Sequence, residues 1–373
     1  MDTIAIDSIM NVYIVIALLA CLLALLQSIG LWKSGLFAGF LVTIIFYALH
    51  YDFGNDYMSY YDWFLSLCHT PFPSTYDEFK EWSRDPGWDL INWCFGVLFG
   101  ENGFFYLVAL FAVIQGYAYY GLIRKYVPEK WYWLSMAIYV FSSPLYLQSF
   151  NVMRMAFVMA IFVRLVPRLQ SKEFFRPIIV LLLCTFIHAS SVILFIVVVF
   201  SIIPLRPQII AITSVMGLLL LLFSTSLVDK MIDIFPTLTS LERFESYIGD
   251  DGNHSFGFGY ILKLIPFYIV VVKLLKDEID SKYHFVITIW LLGVVLQPLS
   301  QVSVIIDRIT YYFETMSVVV LPIIYATVKN KPLQMSFVMI WFIFAVATIY
   351  HYMSPESVFY EPYRHYQTIF SIK

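Results

Sequence analysis

The chain is built from repeated apolar runs that are long enough, or nearly long enough, to cross a lipid bilayer. A spanning helix needs about 20 mostly apolar residues. The charged fraction is 13%, against roughly 25% in average soluble domains. The sequence therefore predicts an all-α, polytopic membrane protein. The runs are Ile9–Ile29, Leu36–Leu49, Phe104–Ile123, Trp131–Leu147, Val152–Val166, Ile209–Leu227, Tyr260–Leu275, Phe285–Leu299, Ile309–Val328 and Leu333–Tyr350.

One further run, between Arg176 and Arg206, is interrupted at His188 and fits either one long tilted helix or two short ones. Cytoplasmic loops carry the excess of Lys and Arg. Two crossings with a hairpin turn at His188 place every basic cluster inside, give about 12 transmembrane segments and leave both termini outside. The clusters are Lys33, Arg124/Lys125/Lys130, Arg164/Arg168/Lys172/Arg176, Lys273/Lys276/Lys282 and Lys329/Lys331.

In this topology, residues 1–373 form a single transmembrane domain with two external, partly helical loops, 51–88 and 228–259. Both loops are too long to be simple connectors and are rich in aromatic and acidic residues. Leu90–Phe99 is too short to span the bilayer and is predicted to pack at the outer surface or to re-enter.

Arg154 lies in an otherwise apolar stretch, S-F-N-V-M-R-M-A-F-V-M-A-I-F, that begins at Ser149. A charge at membrane depth is costly and normally faces a protein interior or a wet cavity and has a partner. Arginine also offers a planar fork of donors that suits phosphate or carboxylate. Snorkelling to lipid headgroups is the alternative, because Arg154 is near a helix end.

Other polar residues are predicted at the same outer edge of the membrane. Arg308 and Tyr312 share one helix face, and Asp307 or Glu314 is the alternative partner that would simply neutralise Arg308. His188 is either a hydrogen-bonded core residue or a base that takes a proton from a sugar hydroxyl. Three arginines at one depth favour an anionic ligand. The predicted group comprises Asp52, Asp56, Arg154, His188, Arg243, Tyr247, Asp307, Arg308 and Glu314.

Several functional classes lack their motifs here. The sequence has no Walker motif, no glycine-rich nucleotide loop and no HExxH, and its four cysteines are not spaced as a zinc or redox site. We predict no cofactor, no bound metal and no nucleic-acid partner. Asp52 and Asp56 are the carboxylates that would bind a divalent cation if one were used.

Six short motifs in fixed order resemble the EpsG-like family of Wzy-type polysaccharide polymerases. They are D-F-G-N-D-Y-M-S-Y, D-P-G-W-D-L-I-N, F-N-V-M-R-M-A-F-V-M-A, F-I-H-A-S-S, R-F-E-S-Y and R-I-T-Y-Y-F, from about Tyr51 to Val328. His50 stands where the family often has an arginine, and Asp85 stands for the usual glutamate of an E-P-G-like motif. The first difference casts doubt on a role for position 50 in binding lipid phosphate.

The resemblance implies a glycosyltransferase of the bacterial inner membrane that joins polyprenyl-diphosphate-linked oligosaccharide repeats on the outer face, making O-antigen, capsule or exopolysaccharide. Its recurring polar positions correspond to Asp56, Tyr60, Arg154, His188, Arg243, Tyr247 and Arg308. We assign diphosphate binding to Arg154, Arg308 and Arg243. His188, or else Asp56, would be the base, and Tyr60, Tyr247, Tyr312 and Asp52 would contact the glycan. A chain-length regulator is a candidate further partner.

Two other functions fit a membrane protein of this kind. A flippase of lipid-linked oligosaccharides would also have many helices and buried cations, and it often has two related halves, which this sequence does not show. A glycosyltransferase that uses polyprenyl-monophosphate sugars commonly combines acidic residues of its first external loop with a metal, and Asp52 and Asp56 fit that pattern loosely.

Overall fold

The computed structural model describes residues 3–75, 78, 85–203, 206–223, 258–298, 304–354, 363 and 366–371. Its helices are α1 (Thr3–Ser28), α2 (Gly35–Leu49), α3 (Tyr57–Cys68), α4 (Pro86–Phe99), α5 (Gly103–Tyr126), α6 (Tyr132–Phe141), α7 (Met153–Gln170), α8 (Phe175–Ile187), α9 (Phe195–Ile202), α10 (Pro207–Phe223), α11 (Phe258–Leu275), α12 (His284–Leu296), α13 (Val304–Glu314), α14 (Ser317–Thr327) and α15 (Lys331–Met353). Two short strands, β1 (His50–Tyr51) and β2 (Gln367–Thr368), pair antiparallel.

The predicted all-α architecture is confirmed for the described part of the chain. By length and composition, two helical stretches there could cross a membrane, Pro86–Tyr126 and Lys331–Tyr350, and the bent pair α13–α14 would make a third. Most of the other apolar helices have 10–17 residues, which is shorter than a straight span requires. The figure of about 12 crossings stays a prediction.

The chain divides into two compact units, Met1–Val198 with Ala345–Lys373, and Val199–Phe344. In the first unit, α1 packs on α2 and α6, α2 packs on α5, and α5 packs on α7. The buried positions of α2 include Leu36, Phe40, Thr43 and Tyr47, whose spacing of four, three and four residues forms one helix face. In the second unit, α10 packs on α11 and α12, and α12 packs on α13.

The C-terminal segment of the chain belongs to the first unit and returns to the end of α2. Ile369 donates a backbone hydrogen bond to the Leu49 carbonyl at 3.0 Å, beside the β1–β2 pair. The Tyr366 ring stacks on Phe46 with centroids 4.5 Å apart. This segment therefore helps to fix the start of the loop that follows α2.

Two of the runs predicted to span the membrane are not single straight helices. The run Trp131–Leu147 leaves the α-helix at Phe141 and continues as a π-turn over Ser143–Leu147. Pro144 contributes to this break because it has no backbone N–H for the helix ladder. The run Ile309–Val328 bends by 49° between Glu314 and Ser317.

The interruption predicted at His188 is present. α8 ends at Ile187, His188 has an extended backbone with φ −154° and ψ 108°, and Ala189–Leu194 continues as a 3-10 helix. That this break reverses the chain across the membrane stays a prediction. Loop 51–88 is partly helical, as predicted, through α3, whereas loop 228–259 lies mostly outside the described residues.

Candidate functional site

The segment before Arg154 has irregular backbone that tyrosine hydroxyls stabilise. Between Phe141 and Met153 the backbone passes through a π-turn, Ser143–Leu147, and a 3-10 turn, Gln148–Phe150. Tyr47 donates to the Ser149 carbonyl at 2.9 Å, and Tyr363 donates to the Leu147 carbonyl at 3.0 Å. These bonds hold the chain in a defined conformation at the point where α7 begins.

The loop D-F-G-N-D, Asp52–Asp56, packs directly against this segment. Asn55 donates its backbone N–H to Asn151 Oδ1 at 2.7 Å. Gly54 has φ +109°, and a Cβ there would lie 2.6 Å from the Phe150 carbonyl oxygen. Only glycine combines this backbone conformation with so close an approach. Two of the sequence motifs are therefore neighbours in space, one turn from Arg154.

Arg154, in the first turn of α7, is paired with a carboxylate. Its Nη1 donates to Asp85 Oδ2, and its Cζ lies 5.7 Å from the centre of the Tyr60 ring, within the range of a cation–π contact. Its side chain is 35% exposed, although Nε is buried and has no hydrogen-bond partner among the described residues. Arg154 thus has an internal partner while part of its side chain remains exposed.

Asp85 joins Arg154 to the break at His188. It occupies the N-cap position of α4, where Asp normally binds the backbone of its own helix, but its side chain makes no capping bond. Instead Oδ2 contacts Arg154, and Oδ1 accepts the backbone N–H of Ala189 at 3.3 Å. The carboxylate therefore connects the start of α7 with the residue that follows His188.

The beginning of α4 approaches α8 closely. A Cβ on Gly87 would lie 2.9–3.0 Å from backbone and Cβ atoms of Phe186, so the glycine of D-P-G-W is required for this contact. One turn along α4, the buried carboxylate of Asp89 accepts the indole N–H of Trp63 at 2.8 Å. Motifs from α3, α4, α7 and the end of α8 thus form one cluster.

The predicted site residues of the first unit divide into those that contact Arg154 and those placed around it. Tyr60 contacts Arg154 directly, and His188 immediately precedes the residue that binds Asp85. Asp56 is the half-buried N-cap residue of α3, four residues before Tyr60. Asp52 is exposed and has φ +46°. No group of three or more His, Cys, Asp or Glu able to hold a metal occurs among the described residues.

The remaining predicted residues lie elsewhere. Arg243 and Tyr247 fall outside the described residues. Arg308 and Tyr312 are on α13 in the second unit. Tyr312 is 0% exposed, so in this conformation no part of its ring is accessible to a glycan. The convergence of Arg154 with Arg308 and Arg243 stays a prediction.

The suggested pairing of Glu314 with Arg308 is replaced by another contact. Glu314 Oε1 binds Lys263 Nζ, which also donates to Gln297 Oε1 at 2.9 Å. Both charged side chains are largely buried, with 27% of Lys263 and 10% of Glu314 exposed. Arg308 forms no ion pair or hydrogen bond with any side chain that the structure describes; the side chain of Asp307 lies outside that set.

His50 is enclosed by aromatic rings instead of facing the cluster. It is fully buried, its Nδ1 bonds the Tyr47 carbonyl, and the rings of Tyr57 and Phe150 lie within 4.9 Å of its own, centre to centre. Burial lowers the pKa of His50 to about 4, so the imidazole is neutral near pH 7. A neutral, enclosed ring has no charge to offer a lipid phosphate.

Sequence reasoning gave no site role to three charged residues: Asp85, which it noted only as part of a motif, Asp89 and Lys263. Asp85 and Asp89 belong to the motif D-P-G-W-D, and the available signal was the need of a membrane-depth arginine for an opposite charge. Lys263 lies near the start of an apolar run, where the same rule applies.

Comparison with known proteins agrees with the motif pattern. The EpsG family matches residues 36–368, which include the residues around Arg154 and the Lys263–Glu314 pair. No curated protein and no solved structure shows significant similarity to the chain. Since the match covers most of the sequence, the chain belongs to the EpsG family, a family of Wzy-like polysaccharide polymerases.

Proposed function

We propose that this protein is a glycosyltransferase that joins polyprenyl-diphosphate-linked oligosaccharide repeats at the outer face of the bacterial inner membrane. Membership of the EpsG family supports a polysaccharide polymerase, and the apolar helices support a substrate presented by lipid. The product would be an O-antigen, a capsule or an exopolysaccharide. A chain-length regulator is a candidate partner.

The observation that carries this proposal is the placement of Arg154. Its side chain is partly exposed at the meeting point of α3, α4, α7 and the His188 break. In the reaction, an acceptor hydroxyl attacks the anomeric carbon of the donor. The bond from that carbon to the diphosphate oxygen breaks, and the polyprenyl diphosphate leaves with the electron pair. Preorganised donors aimed at the developing charge are the most effective catalytic device for such a step.

The arginines would contribute in different ways. Arg154 is already compensated by Asp85, so it would supply directed hydrogen bonds more than net charge. Arg308 has no carboxylate partner among the side chains that the structure describes, so it would supply the net positive charge that a diphosphate requires. Arg243 would assist from the second external loop.

The proton of the acceptor hydroxyl needs a base within hydrogen-bond reach. We assign this role to His188, which adjoins the residue bound by Asp85, with Asp56 as the alternative. Tyr60, Asp52 and Tyr247 would contact the glycan, and Tyr312 would do so after a change of conformation. A diphosphate is a good leaving group, so neither a nucleotide nor a metal is required.

Purified protein incubated with defined polyprenyl-diphosphate repeats, in EDTA and without nucleotide, tests the proposal. We expect a ladder of products that differ by one repeat. A flippase would move lipid-linked repeats across vesicles and give no ladder. A glycosyltransferase that uses polyprenyl-monophosphate sugars would act only on those donors and would be inhibited by EDTA if it depends on a metal.

Arg154→Lys tests the assigned residue. Lysine keeps the charge but lacks the planar fork, so we expect kcat to fall by about 100-fold or more, the usual effect of losing one transition-state donor. Arg168→Lys is the control, because Arg168 is on the same helix and pairs with Glu173 at 3.2 Å on the surface. Wild-type polymer length from Arg154→Lys would refute the assigned role.

A further inference from the structure

Arg154 is paired with a carboxylate, which is unexpected for a residue that binds an anion. Asp85 contacts Nη1 directly, and a second carboxylate, Asp89, lies one turn further along α4. Asp85 thus occupies Nη1 before any substrate arrives. A diphosphate must therefore compete with a carboxylate for this arginine.

The position of Asp85 makes it a fixed competitor. Its Oδ1 is bound to the Ala189 N–H at 3.3 Å, and Pro86 at the first position of α4 restricts the backbone next to it. Its side chain is 12% exposed and forgoes the capping bond that Asp normally makes at this position. Asp89 is hydrogen-bonded to Trp63 instead. Asp85 is therefore the carboxylate that a ligand of Arg154 would have to displace.

A carboxylate that competes for Arg154 would help the enzyme to release its product after each turnover. The reaction leaves a polyprenyl diphosphate on the arginine, and an arginine in surroundings of low dielectric would hold that anion tightly. Product release limits kcat in many enzymes. We propose, on the basis of the proposed function, that Asp85 competes with the diphosphate for Arg154 and so limits the affinity for the leaving lipid, making it a positioning residue that sets product release.

Binding of inorganic pyrophosphate to the full-length protein, measured by calorimetry, tests this proposal. Asp85→Asn keeps the shape, and its amide oxygen can still accept the Ala189 N–H, so the substitution removes the charge and turns the amide NH2, a donor, toward Arg154. We expect pyrophosphate to bind on the order of tenfold more tightly, with stronger product inhibition by polyprenyl diphosphate in the polymerisation assay. Asp85→Glu keeps the charge and should bind pyrophosphate as the wild type does.

The control is Glu173→Gln, which releases an arginine of the same helix at the surface, where an ion pair is worth little, and should leave pyrophosphate affinity unchanged. If Asp85→Asn does not fold, Asp89→Asn removes the other carboxylate, and a smaller gain in affinity is expected.

Unchanged or weaker pyrophosphate binding by folded Asp85→Asn would overturn the proposal. Arg154→Lys separates this failure from failure of the proposed function. If Arg154→Lys weakens pyrophosphate binding while Asp85→Asn does not strengthen it, only the competition is wrong. If Arg154→Lys binds pyrophosphate as the wild type does, the arginine is not the diphosphate ligand.

Discussion

The titration of His50 makes the stability of the folded protein depend on pH. Its ring is fully buried between Tyr47, Tyr57 and Phe150, and burial lowers its pKa from 6.5 to about 4. Between these two values the unfolded chain binds a proton that the folded chain does not. Stability is therefore complete above about pH 6.5 and falls as the pH decreases toward 4.

We predict that this group alone removes about 3 kcal/mol across that range. The measurement is the Tm of the purified protein at a series of pH values. His50→Gln, which has no group that titrates, should give a flatter dependence of Tm on pH than the wild type. His69→Gln is the control, because that side chain is 73% exposed, and its slope should match the wild type. Equal slopes for His50→Gln and wild type would contradict the prediction.

The sequence identified Arg154 at the residue scale but not its partner. An arginine in an apolar run is visible in one line of sequence, and the cost of an unpaired charge at that depth requires a counter-charge. Asp85 precedes Arg154 by 69 positions, and nothing local indicates that the two meet. Periodicity reports which face of a helix is buried, not which distant loop covers it.

The same limitation applies to the prediction of helices and their breaks. Apolar runs predicted most of the helices, and the lone His188 predicted a break that is present. The breaks after Phe141 and Glu314 were missed, although the sequence is polar at both, with Ser142, Ser143 and Pro144 at the first and Glu314, Thr315 and Ser317 at the second. They are supported by tertiary contacts, for example the hydroxyl of Tyr47 on the Ser149 carbonyl and Lys263 on Glu314, which a one-dimensional pattern does not contain.

The loop between α2 and α3 gives a prediction at the scale of elements. Gly54→Ala combines an unfavourable positive φ with a clash against the Phe150 carbonyl. We expect it to destabilise the protein by about 2–4 kcal/mol and to lower polymerisation, because Asn55 would lose its bond to Asn151 beside Arg154.

Gly30→Ala is the matched control for this substitution. Gly30 has φ +80°, but no heavy atom lies within 4 Å of the place that a Cβ would occupy, so it tests the backbone cost without the clash. We expect a loss of about 1 kcal/mol and unchanged activity. Denaturation in mild detergent measures both variants. Equal losses for the two would mean that the close approach of the loop to Phe150 contributes nothing.

At the scale of the whole molecule, the orientation in the membrane decides whether the chemistry is available at all. Lipid-linked repeats are joined outside the cytoplasm only if Arg154, Asp85 and α3 lie at the outer surface. The positive-inside rule places the loop before α8 in the cytoplasm and loop 51–88 outside. In the structure, Ser74 and Ser171 are exposed positions of these two loops, and each accepts a cysteine without loss of core packing.

Single-cysteine variants test this orientation, with the native Cys21, Cys68, Cys94 and Cys184 replaced by serine. A membrane-impermeant maleimide added to intact spheroplasts should label Ser74→Cys at once. It should label Ser171→Cys and Ser281→Cys, which is also exposed and beside a basic cluster, only after permeabilisation. Ser171 directly follows α7 and lies 17 residues after Arg154. A rise of 1.5 Å per residue separates the two by about 25 Å, close to the thickness of the hydrocarbon layer. Labelling of Ser171→Cys in intact spheroplasts would put Arg154 at the cytoplasmic side, where an extracytoplasmic polymerase cannot use it.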